Sequence, residues 1–114
     1  MLRTVLLLAL AVAVGPAAAH HGWGNYDAAN PVTISGQIAT VQYANPHAHI
    51  TVRASDKVWT VTLAPVSRMR TRGATEKLVA VGKTVTAMGY RSRSDPDEIR
   101  AERITIDGKT VEMR

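Results

Sequence analysis

The chain has four histidines, and they fall in two close pairs, His20-His21 and His47-Ala48-His49. Imidazole nitrogen is a good ligand for copper, zinc and nickel. The second pair lies in the stretch Asn45-Pro46-His47-Ala48-His49-Ile50-Thr51-Val52-Arg53, which reads as a sharp turn running into a strand. Side chains on a strand alternate between faces. Ala48, Ile50 and Val52 therefore form an apolar, core-directed face, and His47, His49, Thr51 and Arg53 a polar one. At a rise of about 3.3 Å per residue, His47 and His49 stand roughly 6 to 7 Å apart on that polar face. Both rings can then converge on one ion. Two ligands do not complete a metal site, and the segment carrying His20 and His21 is the expected source of the others. Asp27 is a candidate oxygen ligand or supporting carboxylate.

What precedes the first pair matters. Arg3 is a short positive region, Val5 to Val14 is an apolar run, Gly15-Pro16 breaks it, and Ala17-Ala18-Ala19 supplies small residues. That is the pattern of a secretory signal peptide over residues 1–19. The run is too short for a membrane span, which takes about 20 apolar residues. The expected working protein is periplasmic or secreted, with no transmembrane segment after processing. Cleavage before His20 would leave that histidine at a free amine. Amine and ring can chelate one copper ion, and His47 or His49 would add a third nitrogen, an arrangement that resembles the histidine brace of some exported copper proteins. Cleavage one residue earlier would leave Ala19-His20-His21, with a histidine third and a square-planar Cu(II) site. Pro16 would then sit three residues before the cut, which disfavours it.

Removing 19 of the 114 residues leaves 95, enough for one small domain. Taking Arg3 away leaves 13 basic against 9 acidic residues, a net charge of +4. In an exported protein that balance points to an envelope protein or anionic surface as partner rather than to nucleic acid. There is no cysteine, so no disulfide can brace the domain, and a regular sheet or a bound metal must do so.

The elements that would position the histidines follow from the periodicity. Residues 20–30 (HHGWGNYDAAN) have no strand or helix period and read as an N-terminal arm, pinned by Trp23 and Tyr26. Residues 31–114 read as the folded domain. A long first strand starts at Pro31; its apolar phase slips near Ala39, which predicts a bulge, and Gly36 would ease strong coiling. Strand two is 47–54 and strand three 58–64, joined by the tight turn Ser55-Asp56-Lys57. Ser67 is the expected cap of a short helix ending at Arg72 and closed by Gly73, and Thr75 the cap of a further turn. Strand four is 84–91 and strand five 98–106. Asp107-Gly108 turns into a short return strand. Three meandering strands, a helix, then two strands and a return make a mainly all-β fold. We read it as a small five- to six-stranded OB-like antiparallel barrel with one short helix between strands 3 and 4.

The chain resembles a family of small, exported bacterial proteins of the domain-of-unknown-function kind. The matching stretches are Ala19-His20-His21-Gly22-Trp23, Ile34-Ser35-Gly36-Gln37-Ile38, Asn45-Pro46-His47-Ala48-His49, Trp59 through Gly73, and Val81-Gly82-Lys83-Thr84-Val85 with Gly89-Tyr90. The resemblance implies export and a barrel-like fold. That family has no established activity, so function rests on the residues themselves.

Two function classes remain open. The first is a copper carrier or sequestering protein, with zinc as the alternative metal, using His20, His21, His47 and His49. The second is a binding module without metal, docking a protein, glycan or anionic envelope surface on Thr51, Arg53, Thr60 and Thr62 together with an arginine helix. In that helix Arg68 and Arg72 share a face at i, i+4 spacing, and Met69 packs inward. The acidic loop of Asp95, Asp97 and Glu98 is a candidate partner for those arginines. Enzymatic turnover has little support, since no cysteine nucleophile, serine triad or phosphate-cradling loop is visible. Copper-dependent redox chemistry is the one enzymatic alternative.

Overall fold

The structure is a computed structural model that describes residues 22–114. The expected signal peptide, His20 and His21 lie outside the described residues.

A short 3-10 turn, Trp23–Asn25, leads into β1 (Tyr26–Gln42). Then follow β2 (His49–Arg53), β3 (Val58–Thr62), α1 (Val66–Arg72), β4 (Thr84–Ser92), β5 (Glu98–Ile106) and β6 (Lys109–Glu112). The strands pair in the order β3-β2-β1-β4-β5-β6. All of these pairs are antiparallel. A parallel pairing of β3 with β5, Thr60–Thr62 against Glu98–Arg100, closes the ring β1-β2-β3-β5-β4. This is the OB-like barrel expected from the strand order, with α1 between β3 and β4.

The interior is aliphatic, as a chain with no phenylalanine requires. Ala48, Ile50 and Val52 point inward from β2 and the residue before it, Trp59 and Val61 from β3, and Ile99, Ile104 and Ile106 from β5. Each fully buried side chain of this size contributes roughly 1.5–3 kcal/mol by leaving water. The phase slip near Ala39 is a real bulge. Ile38 pairs with Val52 and Thr40 with Thr51, which leaves Ala39 as the extra residue. A second bulge lies in β5, where Met88 pairs with Arg103 and Gly89 with Ala101, so that Glu102 is the extra residue.

Several boundaries differ from the sequence reading: β2 ends at Arg53, β3 at Thr62 and β4 at Ser92, and two strand starts also move. β1 begins at Tyr26, not Pro31, because Tyr26 pairs with Ser92 and buries its ring. The arm is therefore partly strand, and its lack of alternation reflects one-sided pairing with a shift before Pro31. β2 begins at His49 rather than His47. Ala48 still exchanges backbone hydrogen bonds with Leu63 and Ala64, so the inward phase is kept.

The helix also differs at its start. α1 begins at Val66 after Pro65, so Ser67 lies inside it and does not cap it. Its close is as expected, with Gly73 at φ 88°. Thr75 caps the following turn by accepting from the Leu78 N–H. Met69 is buried, as expected.

Candidate functional site

The ring closure of β3 against β5 brings the turn before β2, the start of β5 and the N-terminal turn together. They surround a cleft of about 350 Å³ lined by Asn25, Tyr26, Pro46, His47, His49, Thr62, Ser94, Glu98 and Arg100. Both described histidines are therefore at one place. The Asn45–Pro46 peptide is cis, and His47 follows it at the rim. His49 is held by its ladder position opposite Gln42 on one side and Thr62 on the other.

Glu98 is the hub of the cleft. Its Oε2 accepts a hydrogen bond from the Tyr26 hydroxyl at 2.9 Å and one from the Thr62 hydroxyl at 2.5 Å. Thr62 Oγ1 in turn lies 3.3 Å from His49 Nδ1. Burial, followed by the hydrogen bond to Glu98 and the Glu98 charge, pushes the Tyr26 pKa up from 10.0 to about 12. The folded state thus favours the neutral phenol. Its contribution to stability is complete below pH 10.0 and is lost as the pH rises toward 12. Tyr26→Phe is expected to remove that alkaline loss, seen as a flatter stability profile over this range in urea unfolding. Equal decline in both proteins would contradict it.

The second cluster is cationic. Arg100 is buried, with its guanidinium 4.1 Å from the Trp23 ring centroid and 5.8 Å from that of Tyr26. One of its nitrogens lies 3.4 Å from His47 Nε2. Arg114 covers Trp23 as well, at 4.7 Å, and Tyr90 meets the ring edge-on at 6.0 Å. Burial is the main cause that lowers the Arg100 pKa, and the neighbouring Arg68 and Arg114 add to it. Trp23 and Tyr26 pin the arm as expected, and these are the contacts that do so. Cation–π contacts of this kind contribute about 0.5–2 kcal/mol each.

Of the other residues singled out in the sequence, Arg53, Asp27, Arg68 and Arg72 are not in the cleft. Arg53 is exposed at the far end of β2, opposite Gln37 and Val58. Asp27 accepts from Asn30 Nδ2 at 3.0 Å and does not line the cleft. Arg68 donates to the Met113 carbonyl at 3.1 Å, and Arg72 to the carbonyls of Glu112 and Arg114, each at 2.8 Å. These arginines cover the outer edge of β6, satisfying carbonyls that an edge strand would otherwise expose. The acidic loop does not pair with them. Asp97 meets Lys57 at 3.1 Å, Asp95 accepts from the Asp97 N–H, and Glu98 turns into the cleft.

Sequence reasoning missed Glu98, Arg100 and Thr62 as cleft residues. Alternation puts all three on outward faces of β3 and β5. Only the β3–β5 closure and the docked arm, both long-range, cover them. Among the described residues no group of three or more His, Asp or Glu side chains is gathered closely enough to hold a metal ion. The described part therefore offers two imidazoles of different standing. His49 is supported through Thr62, and His47 faces a guanidinium.

The chain belongs to the family of unknown function DUF6152, whose profile matches residues 7–99. A search of curated proteins returns no match. Among solved structures the chain is similar to the Stn1–Ten1 complex of S. pombe, with TM-score 0.54 and 18% identity, over 67% of this chain and 57% of that one. It is also similar to a ZRD-deleted mutant of TiaS in complex with agmatine, with TM-score 0.55 and 15% identity, over 74% of this chain and 26% of the other. A complex of TiaS with a transfer RNA and ATP matches with TM-score 0.52 and 17% identity, over 75% and 19%. The chain thus spans from about a fifth to just over half the length of these proteins. At such identities the likeness shows the fold alone.

Proposed function

We propose that this protein is an exported metal-binding protein that carries or sequesters copper, with His49, His47 and the His20-His21 pair as its ligands. The single observation that supports this most is convergence. His47 and His49 line one cleft, and the segment that follows His20-His21 is docked on that same cleft through Trp23, Asn25 and Tyr26. Consecutive Cα atoms are about 3.8 Å apart, so His21 and His20 start one and two steps from Gly22. On this reading all four histidines serve one ion.

The donor set fits the metal. Imidazole and amine nitrogens suit Cu(II), with Zn(II) as the competing ion. His49 offers its ring from a rigid strand position. His47 joins by exchanging its contact with Arg100 for the metal. Bound copper would supply redox or Lewis-acid chemistry there.

The test is a Cu(II) titration of the exported, processed protein by competition with a chelator of known affinity. Tight one-to-one binding to a chain whose intact mass begins at His20 is the expected result. Binding no tighter than that of a generic histidine-containing peptide would overturn the reading.

A non-metal binding module keeps one specific observation. Thr40, Thr51 and Thr60 stand in register across β1, β2 and β3, and the Thr40 and Thr51 hydroxyls are 2.6 Å apart. They line a shallow groove with Val41, Gln42, His49 and Ile50. On that reading chelators leave partner binding unchanged.

A further inference from the structure

We infer that Glu98, acting through the Thr62 hydroxyl, holds His49 in the tautomer with its proton on Nδ1, so that Nε2 is the nitrogen offered to a metal. This rests on the metal-binding reading above and makes Glu98 and Thr62 positioning residues for it.

The tautomer follows from counting donors. A carboxylate only accepts, and a hydroxyl has one proton to give. Thr62 gives that proton to Glu98 Oε2 at 2.5 Å. What Thr62 Oγ1 can then present to His49 Nδ1, 3.3 Å away, is a lone pair. A lone pair facing a ring nitrogen is favourable only when that nitrogen carries the proton. The neutral ring then has its own lone pair on Nε2, as a metal ligand must.

Tyr26 strengthens the arrangement from the other side. Its hydroxyl donates to the same Oε2 at 2.9 Å and so keeps the carboxylate in place. Thr62 is 6% exposed, so water competes poorly for its proton. Support of a ligating histidine by a carboxylate is a recurrent way of setting ring orientation, and losing it typically weakens metal binding about 10- to 100-fold. Here a threonine stands between the two groups and relays the polarity. His47 has a different neighbour. The nitrogen of His47 nearest to Arg100 faces a group that can only donate, so that nitrogen serves as an acceptor.

The measurement is a two-bond ¹H–¹⁵N correlation spectrum of the histidine rings in the metal-free protein at about pH 8. Wild type is expected to show His49 protonated on Nδ1. Thr62→Val keeps the shape of the side chain and removes the hydroxyl, so the proton should move largely to Nε2. Thr62→Ser should restore the wild-type pattern. His49 protonated on Nε2 in wild type, or a Thr62→Val spectrum unchanged from it, would overturn the inference. Cu(II) affinity is then measured on the same three proteins, with a loss of about 10- to 100-fold expected in Thr62→Val alone. A shifted tautomer with unchanged copper affinity overturns the positioning role. An Nδ1 proton in wild type together with no tight copper binding removes the metal reading and leaves the relay standing.

Discussion

Gly89→Ala is expected to lower the unfolding free energy by about 3 kcal/mol, at the upper end of what overpacking costs. A Cβ at this position would run into the backbone carbonyl of Arg100. Nothing flexible is there to yield, because Gly89 pairs with Ala101 beside the bulge at Glu102. β5 would have to move away from β4. The shift would carry Arg100 with it, and Arg100 bears the Trp23 stack and the contact with His47. One methyl group should therefore reduce both stability and the docking of the N-terminal segment. Urea unfolding gives the first, and Trp23 fluorescence under native conditions the second. Gly24→Ala is the control, since nothing lies within 4 Å of the added carbon there. It should change stability by less than about 0.5 kcal/mol. Against a total stability of roughly 5–15 kcal/mol for a domain of this kind, the Gly89 substitution is a large fraction. Equal behaviour of the two alanine variants would show that the β4–β5 approach is not tight.

The His47→Ala, His49→Ala double variant is expected to lose at least about 100-fold in Cu(II) affinity, or roughly 3 kcal/mol. Both side chains line the cleft without belonging to the apolar core, so the barrel should still fold. The two positions should differ singly. His49→Ala removes the ring supported through Thr62 and should account for most of the loss. His47→Ala removes a ring that must first leave Arg100 and should cost less. The comparison needs only chelator competition on three folded variants and wild type. Copper affinity equal to wild type in the double variant would leave the N-terminal pair as an isolated chelating peptide and remove the barrel from the site.

The barrel was largely visible in the sequence because its core strands obey strict alternation. Ile50 and Val52 on β2, and Trp59 and Val61 on β3, are buried as their phase requires. The Ala39 bulge showed as a slip in that phase. Gly73 and the Asp107-Gly108 turn showed because left-handed backbone favours few residue types. What stayed hidden depends on contacts distant in sequence. The parallel β3–β5 pairing leaves no local pattern, yet it turns Thr62, Glu98 and Arg100 from outward residues into cleft residues. The arginines of α1 read as part of a docking face, whereas the partners of Arg72 are carbonyls at Glu112 and Arg114, far along the chain. Charge alone does not distinguish a partner surface from a strand edge. The Tyr26–Asn30 segment was invisible as strand because one-sided pairing imposes no apolar alternation on it.

The most direct test is pulsed electron paramagnetic resonance of the chain beginning at His20, loaded with one equivalent of Cu(II), counting coordinated imidazoles by their nitrogen couplings. At least two imidazoles are expected in wild type, with His49 among them. The count should fall in the double variant at positions 47 and 49. A spectrum unchanged between the two proteins, or one with no imidazole coupling, would contradict a copper site built between the N-terminal histidines and the barrel cleft.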